Sequence, residues 1–199
     1  MGRLVARHTC SPVRLWAVLL LFMLLSARGV WAEEATIADL AVTNSSHDLL
    51  LYFTVAHGFN PELEAGIQNG MPATFNFEVS LAPTSGKDKG VAGLSRTFSH
   101  TLTYDTLKEE YRVQRSEQGD VIALADIEEG RRLMLEINGL RVTSLQSLEA
   151  GREYLLRVRA SLARKTLPLT VQRLLPFWEA WDVETGWSSI TFRLEAAGP

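Results

Sequence analysis

Residues 73–81 read ATFNFEVSL and form the clearest secondary-structure pattern in the chain. Every second side chain from Phe75 to Leu81 is apolar, and the side chains between them are Asn, Glu and Ser. Because successive side chains of a strand point to opposite faces, one face of this strand is apolar and the other is polar. The stretch therefore predicts an antiparallel strand with one face in the core and one in solvent.

Strand patterns continue on both sides of this stretch. A polar cluster at residues 43–48 separates two apolar runs within residues 37–55 and is typical of a hairpin loop. The segment 83–93, rich in Gly and Lys, predicts a hairpin tip. Further strands are predicted at residues 95–104, 111–115, 140–143, 154–162 and 187–194.

Two helices are predicted between these strands. Asn60 is a favourable cap for a short helix that starts at Pro61 and ends at Gly70. Asp126 is the predicted cap of a second helix that ends at Asn138-Gly139. The inner face of the second helix is predicted to carry Ile127, Met134 and Ile137.

The order of the elements predicts the fold class. Helices inserted between hairpins differ from the regular alternation of strands and helices around a parallel sheet. We therefore predict an α+β fold that is mainly β, with an antiparallel sheet, sandwich-like or partly rolled, and two or three short helices. The third of these is a turn opened by Pro168. No fixed-period repeat or long linker divides residues 33–199, which predicts a single β-rich domain.

The first 32 residues differ from the rest of the 199-residue chain because they contain four arginines and no acidic residue. An uncharged apolar run at residues 15–25 follows the first three of these arginines, and small residues precede Glu33. The run is about half of the ~20 residues that a membrane-spanning helix needs. We therefore predict a signal peptide at residues 1–32, cleaved before Glu33, and an exported, periplasmic domain at residues 33–199. An uncleaved signal that tethers the chain to the inner membrane is the alternative.

Composition excludes several classes of function. The whole chain has a formal charge of -3, whereas residues 33–199 hold 16 basic and 23 acidic side chains. This acidic balance argues against nucleic-acid binding, which depends on neutralising phosphates. Cys10, the single cysteine, precedes the apolar run, so the predicted exported part has neither a disulfide nor a thiol nucleophile.

Motifs of common active sites are absent from the sequence, including the nucleophile elbow, the His-Glu-x-x-His motif and the phosphate-binding loop. His47, His57 and His100 lie in separate segments and lack the local spacing of metal ligands. We interpret His100 as a partly buried histidine with one hydrogen-bond partner. Acidic pairs such as Glu128-Glu129 are interpreted as solvated surface. No catalytic, cofactor-binding or metal-binding residue and no cofactor are predicted.

Charge is distributed unevenly along the chain. Residues 33–130 hold 6 basic and 16 acidic side chains, residues 131–173 hold 9 and 3, and residues 174–199 hold 1 and 4. The middle stretch, which we call the basic segment, is suited to attract an acidic partner or an anionic lipid surface. The alternative, which we favour, is that Arg157 and Arg159 pair with acids of neighbouring strands, an arrangement worth fractions of a kcal/mol.

Aromatic residues cluster near the carboxyl end. All three tryptophans of residues 33–199 lie within ten residues and follow Phe177. They are suited to form a binding platform, or to anchor this segment in the core, which is the interpretation that we favour. With the basic segment they give the candidate interaction residues, which are Arg157, Arg159, Arg164, Lys165, Trp178, Trp181 and Trp187.

Several of these stretches resemble the exported bacterial proteins of domain of unknown function family 4390. They are LEAGI at residues 63–67, the strand at 73–81, LTYDTLKEEY at 102–111, residues 154–169 with RVRA at 157–160, and Trp187. The family commonly has Leu-Pro-x-Pro-Leu where residues 167–169 read LPL, so one loop differs in detail. The resemblance implies a Gram-negative envelope setting and an accessory role beside a membrane sensor kinase. It supplies no reaction and no catalytic residues.

The sequence as a whole predicts an exported, noncatalytic envelope protein that binds a protein partner or an anionic membrane surface and does not bind nucleic acid. Its oligomeric state is left open. A carboxylate- or His-based hydrolase is one alternative, and it predicts that two acids, or a histidine and an acid, converge in a pocket, with Glu78 and His100 as candidates. A lipid or small-ligand carrier is another, and it predicts a hollow apolar interior.

Overall fold

Backbone hydrogen bonds join nine strands into two antiparallel sheets within residues 34–84, 93–163 and 182–195, which are the residues that the computed structural model describes. The strands are β1 (Thr36–Asn44), β2 (Asp48–Ala56), β3 (Ala73–Pro83), β4 (Leu94–Asp105), β5 (Glu110–Arg115), β6 (Asp120–Leu124), β7 (Glu136–Ser144), β8 (Glu153–Leu162) and β9 (Ser188–Arg193). Two helices, α1 (Pro61–Gln68) and α2 (Ile127–Leu135), and a 3-10 turn at Leu145–Ser147 lie between them.

The larger sheet has the order β6-β5-β4-β3-β8-β9, and the smaller sheet has the order β1-β2-β7. Every pair of neighbouring strands is antiparallel. Strand β3, which contains the ATFNFEVSL stretch, lies inside the larger sheet between β4 and β8. The predicted α+β, mainly β class with an antiparallel sheet and short helices is confirmed.

The apolar face of β3 is buried in a core that both sheets share. Phe75 and Phe77 are fully buried, and Phe77 stacks on Phe98 of β4 with ring centroids 4.9 Å apart. Phe77 also makes an edge contact, at 5.9 Å between centroids, with Phe53 of β2 in the smaller sheet. This aromatic contact connects the two sheets. The interior described here is filled by side chains, so the hollow that a carrier requires is not found among these residues.

Both helices begin at the predicted caps. The Leu63 N–H donates to the Asn60 Oδ1 at 2.7 Å, and Pro61 is the first helical residue of α1. The Glu128 N–H donates to the Asp126 Oδ1 at 3.1 Å at the start of α2. Each cap satisfies one of the backbone donors that a helix leaves unpaired at its first turn.

The predicted end of the second helix is wrong. Helix α2 ends at Leu135, and Ile137, which was placed on its inner face, lies in β7 opposite Phe53. Gly139 has a φ of 72°, and the register against β2 shifts between Leu51 and Phe53. Asn138-Gly139 therefore forms a bulge in a strand, because a glycine in the left-handed region serves a bulge as well as it ends a helix.

Strand β6 was not predicted. It has five residues at the edge of the larger sheet, and only alternate side chains such as Ile122 are half-buried. Residues 121–124 are all apolar, and periodicity alone does not separate so short an apolar run into strand or helix. The predicted signal peptide at residues 1–32, the tip of the 83–93 loop and the turn opened by Pro168 lie outside the described residues. Among the residues described, no helix has both the length and the apolar character to cross a bilayer.

Truncation of the central ring tests the role of this core. We expect Phe77→Ala to lower the free energy of unfolding by about 3–5 kcal/mol, because it removes buried ring contacts to both sheets and leaves a cavity. Urea denaturation measures the change. Leu107→Ala is the control, since Leu107 is 95% exposed and its truncation removes no buried contact. Equal losses for the two variants would contradict the proposed core.

Candidate functional site

Most of the described arginines of the basic segment form ion pairs. Six of them lie in the described part of the chain, and four of these six reach a carboxylate: Arg131 reaches Glu64 and Glu128, Arg141 reaches Asp48, Arg152 reaches Glu149, and Arg159 reaches Glu78 and Glu184. The two described arginines of the segment that form no ion pair there are Arg132 and Arg157. The cross-strand pairing that we favoured is therefore confirmed for Arg159 and is wrong for Arg157.

Arg159 is held across two strands of the larger sheet. Its register partner on β3 is Glu78, and its Nη2 donates to the Glu78 Oε1 at 2.7 Å. This hydrogen bond holds the pKa of the Arg159 guanidinium above its ordinary value. Glu184 lies 3.5 Å from Nη1 of the same side chain. The charge of Arg159 is thus largely compensated within the protein.

Trp187 lies on the surface of the larger sheet and not in the core. It is 44% exposed, and its ring lies against two guanidinium groups, with the Cζ atoms of Arg157 and Arg159 at 5.1 and 4.9 Å from the ring centroid. The interpretation of Trp187 as a core anchor is therefore wrong. The other candidate interaction residues, Arg164, Lys165, Trp178 and Trp181, lie outside the described residues.

Thr185 anchors residues 183–187 to strand β8. It is 3% exposed, its N–H donates to the Ala160 carbonyl at 2.8 Å, and its Oγ1 accepts from the Ala160 N–H at 2.9 Å. The Leu162 N–H donates to the Val183 carbonyl at 2.7 Å. Residues 183–185 therefore pair alongside the end of β8. This pairing places Trp187 over Arg157 and Arg159 of that strand.

A cleft of about 230 Å³ opens between the β5–β6 turn and the junction of α2 with β7. Its lining is mostly polar and combines both signs of charge. The lining residues are His100, Arg115, Glu117, Gln118, Arg132, Leu133, Glu136, Ile137, Asn138 and Leu140. This cleft was not predicted from the sequence, because its walls come from segments that are far apart along the chain.

His100 lies at the base of the cleft and connects three elements. The ring is 1% exposed, Nδ1 lies 3.2 Å from the Met134 carbonyl in the last turn of α2, and Nε2 lies 3.0 Å from the Glu117 Oε1. The sequence interpretation of His100 as partly buried with one partner is wrong. Both ring nitrogens are hydrogen-bonded. Nδ1 bonds the Met134 carbonyl, which lies in the last turn of α2 where carbonyls have no partner within the helix, and Nε2 bonds Glu117.

The two hydrogen bonds of His100 limit the proton arrangements of the His100–Glu117 pair. A carbonyl oxygen only accepts, so His100 Nδ1 carries a hydrogen that it donates to Met134. The bond between Nε2 and Oε1 holds one further proton, on either the imidazole or the carboxyl group. The pair is an imidazolium with a carboxylate, or a neutral imidazole with a carboxylic acid. It is neutral as a unit in both forms.

One oxygen of Glu117 has no partner. The side chain is 7% exposed, and Oε2 is buried without a hydrogen bond to any described residue. In both proton arrangements above, Oε2 is an acceptor. Leaving a buried acceptor unpaired costs about 1–3 kcal/mol.

The β5–β6 turn that carries Glu117 is fixed at both ends. The Arg115 Nε–H donates to the Asp120 Oδ1 at 3.1 Å, and a second hydrogen bond joins Arg115 Nη2 to Oδ2. The Ser116 N–H donates to the Ser99 carbonyl, and the Ser99 N–H donates to the Ser116 Oγ. The hydrogen bonds from Arg115 lower the pKa of the Asp120 carboxyl. These contacts hold Glu117 against His100.

The hydrolase alternative requires a histidine and an acid, or two acids, that converge in a pocket, and the structure fulfils this only in part. Glu78 and His100 lie on opposite faces of the sheet, whereas Glu117, which was not a candidate, joins His100 in the cleft. Both ring nitrogens of His100 are hydrogen-bonded within the protein. His47 and His57 are exposed in other parts of the chain. In the described ranges no three His, Cys, Asp or Glu side chains lie close enough together to hold a metal ion.

Removing one member of the buried pair tests its importance. We expect His100→Leu to lower the free energy of unfolding by about 3–5 kcal/mol, because it leaves the buried Glu117 carboxyl and the Met134 carbonyl without a donor. The double variant His100→Leu, Glu117→Leu is the matched control and is expected to recover part of that loss. Chemical denaturation measures both variants. A double variant that is less stable than the single one would contradict this account.

The Arg115–Asp120 pair makes stability depend on pH. The pKa of Asp120 is lower in the folded chain than its ordinary value of 3.8, so the pair contributes stability above that value and loses it as the pH falls through the lowered pKa. We expect Asp120→Asn to destabilise the protein at pH 7 and to have a shrinking effect below about pH 4. Unfolding curves from pH 2.5 to 7 measure this, with Arg115→Gln expected to give a parallel profile. A pH-independent difference would contradict the prediction.

Comparison with known proteins gives the family. No curated protein sequence matches the chain. The family model described as a domain of unknown function (DUF4390) matches residues 32–191, which include all nine strands except the end of β9. The resemblance seen in the sequence is thereby confirmed. The chain belongs to the family of the domain of unknown function DUF4390.

Proposed function

We propose that this chain is an exported, noncatalytic protein of the bacterial envelope that binds an acidic segment of a partner protein. The binding surface that we infer, called the Trp187 surface below, consists of Trp187, Arg157 and Arg159. The observation that carries the proposal is an indole that is 44% exposed and lies against two guanidinium groups. The proposal includes an accessory role beside a membrane protein.

The composition of the Trp187 surface matches that of binding hot spots. Tryptophan and arginine are the residues most enriched among those that dominate binding energy, together with tyrosine. The cation–π contacts also restrict the indole before a partner arrives, so less side-chain freedom is lost on binding. A large ring left half-exposed on a sheet that is otherwise polar on this face is well suited to bind a partner.

The charge of the surface indicates an acidic partner. Glu78 and Glu184 compensate Arg159, whereas Arg157 is exposed and forms no ion pair with any residue that the structure describes. Ser80 and Ser189, its register partners on β3 and β9, are uncharged. A partner carboxylate beside Trp187 therefore meets an unneutralised guanidinium, and such charge complementarity raises association rates and selects partners.

The proposed location rests on the sequence. The basic and apolar order of residues 1–32 supports export, and the family match begins at residue 32, next to the predicted cleavage position. Since the apolar run is short for a spanning helix, we propose a free periplasmic protein in preference to one anchored in the inner membrane.

Site-specific crosslinking tests this proposal. The full chain is produced with its own residues 1–32 in a Gram-negative host, with a photo-crosslinking residue at exposed position Ser189 beside the Trp187 surface. We expect periplasmic fractionation and a crosslink to one specific protein. For that protein, once purified, we expect Trp187→Ala to weaken binding about 30-fold, the loss of ~2 kcal/mol expected of a hot spot.

Matched variants and vesicles provide the controls. Arg157→Gln is expected to weaken binding, and Leu107→Ala, which truncates a fully exposed apolar side chain elsewhere, is expected to leave it unchanged. Retention in the cytoplasm, or unchanged affinity of Trp187→Ala, contradicts the proposal. Binding to phosphatidylglycerol vesicles without any protein crosslink would instead favour the membrane-surface alternative.

A further inference from the structure

We propose that strand β6 binds a second copy of this chain. In the proposed dimer the two β6 strands pair antiparallel about a two-fold axis at Ile122, so that the larger sheets of the two chains join edge to edge. The inference is independent of the Trp187 surface, because that surface adjoins β8 and β9 and β6 is the opposite edge of the larger sheet.

Three of the four edge strands in the two described sheets are protected. Edge strands expose unpaired backbone groups, and proteins guard them with bulges, charges or covering segments. Strand β1 has a register shift beside Asp39, whose φ is 54°. Strand β7 has the Gly139 bulge, and Arg96 Nη1 donates to its Arg141 carbonyl at 2.6 Å. Strand β9 packs against β1 of the smaller sheet.

Strand β6 has none of these protections among the described residues. Its register against β5 is continuous, and it contains no Pro, Lys or Arg. Its one charged residue, Asp120, is bonded to Arg115. Val121 is 60% exposed. Helix α2 packs on the core face of the sheet, with Gly130 against Leu102 of β4. The edge of β6 is therefore open to another strand.

The hydrogen-bond pattern shows which backbone groups face this edge. Residues of an antiparallel strand direct their N–H and C=O groups alternately to one neighbour and to the other. The Ser116 N–H donates to the Ser99 carbonyl of β4, so Arg115 and every second residue before it bond β6. Their partners on β6 are Asp120, Ile122 and Leu124. The backbone groups of Val121 and Ala123 therefore point away from β5, and within the described ranges no hydrogen bond reaches them.

A second β6 strand supplies the matching groups. With Ile122 opposite the partner's Ile122, Val121 stands opposite the partner's Ala123, and Ala123 stands opposite the partner's Val121. Each of these two residue pairs exchanges both of its N–H to C=O hydrogen bonds, so every outward backbone group of Val121 and Ala123 is satisfied. Such a contact is isologous, because the same surface is used on both chains.

The same register also matches the side chains. Val121 gains an apolar cross-strand neighbour in the partner's Ala123, and the two Ile122 side chains form a non-hydrogen-bonded pair, in which side chains lie closest. Like charges directly opposite each other would be destabilising. Asp120 stands opposite the partner's Leu124, and its charge is already compensated by Arg115. No like charges therefore meet between the two strands.

Preorganisation favours a second copy over a flexible peptide. A peptide can bond the same backbone groups, but it must lose chain entropy to become a strand. The second β6 is already held in that conformation by its own β5. Because two strands of five residues bury less area than a standard interface, we expect a weak dimer that depends on concentration.

Sedimentation equilibrium of the purified protein, in the form that the host accumulates, tests the proposal. We expect the weight-average mass to rise with concentration from that of one chain towards twice that value. Ala123→Pro is expected to stay monomeric, because it removes an N–H that faces the edge and none that bonds β5. Ala123→Ser, which keeps this N–H, is the matched control and is expected to associate like the unmodified chain. Circular dichroism checks that both variants are folded.

A charge at the edge gives a second test that does not depend on the folding of the proline variant. We expect Val121→Lys to weaken association by about tenfold or more, because a lysine on an edge strand opposes the approach of another strand. Thr191→Lys adds the same charge at an exposed position of β9, the opposite edge, and is expected to leave association unchanged.

Cysteine crosslinking tests the register. Val121→Cys and Ala123→Cys are made separately in a Cys10→Ser background, which leaves one cysteine in each chain. Opposite residues of a hydrogen-bonded pair have Cα atoms about 5.5 Å apart, within the range of a disulfide. We therefore expect the mixture of the two variants to form a disulfide dimer faster than either variant does alone.

Several results would overturn the proposal. One is a monomer at every concentration, and another is a dimer that persists when folded Ala123→Pro or Val121→Lys is used. A mixture that crosslinks no faster than the single variants contradicts the register at Ile122. A photo-crosslinking residue at position 123 that captures a different protein in the envelope, and no second copy, would assign this edge to another chain.

Discussion

A buried imidazole connects strand β4, the end of helix α2 and the β5–β6 turn through its two hydrogen bonds. His100 stands on β4 of the larger sheet, donates to the carbonyl of Met134 at the end of α2 and bonds Glu117 in the β5–β6 turn. Its ring also makes an edge contact with Phe77, with centroids 5.0 Å apart. One side chain therefore fixes where α2 ends, where the turn lies and how both meet the aromatic core.

The constraint acts through hydrogen-bond satisfaction. The last carbonyls of a helix have no partner within it, and a buried carbonyl without a donor costs about 1–3 kcal/mol. His100 supplies that donor and in turn requires a partner for its second nitrogen, which Glu117 provides. The requirement ends at the Glu117 Oε2, which is buried and has no hydrogen-bond partner among the described residues.

The sequence was sufficient where local pattern and burial coincide. The ATFNFEVSL alternation predicts β3, and Asn60 and Asp126 predict both helix starts, because a strand face and a cap are decided by neighbouring residues. Asn138-Gly139 gave a wrong prediction of a helix end, because a glycine with positive φ occurs both at helix ends and in strand bulges. The cleft was out of reach because Glu117 and Arg132 acquire meaning only through contacts across the fold. His100 was noticed on its strand, but only tertiary contacts give it two partners.

The uneven charge of the sequence acquires a physical explanation from the same contacts. Acids of residues 33–130 and arginines of the basic segment lie on elements that the fold brings together, so Arg131 meets Glu64, Arg141 meets Asp48 and Arg159 meets Glu78. Such partly exposed pairs contribute little energy each, but together they compensate four of the six described arginines of the segment. What remains is decided by position. Arg132, which lines the cleft, and Arg157, which lies against Trp187, are the described arginines of the segment that form no ion pair among these residues. A count of charges along the chain identifies an excess, but only the pairing of strands shows which guanidinium groups are left to meet a partner.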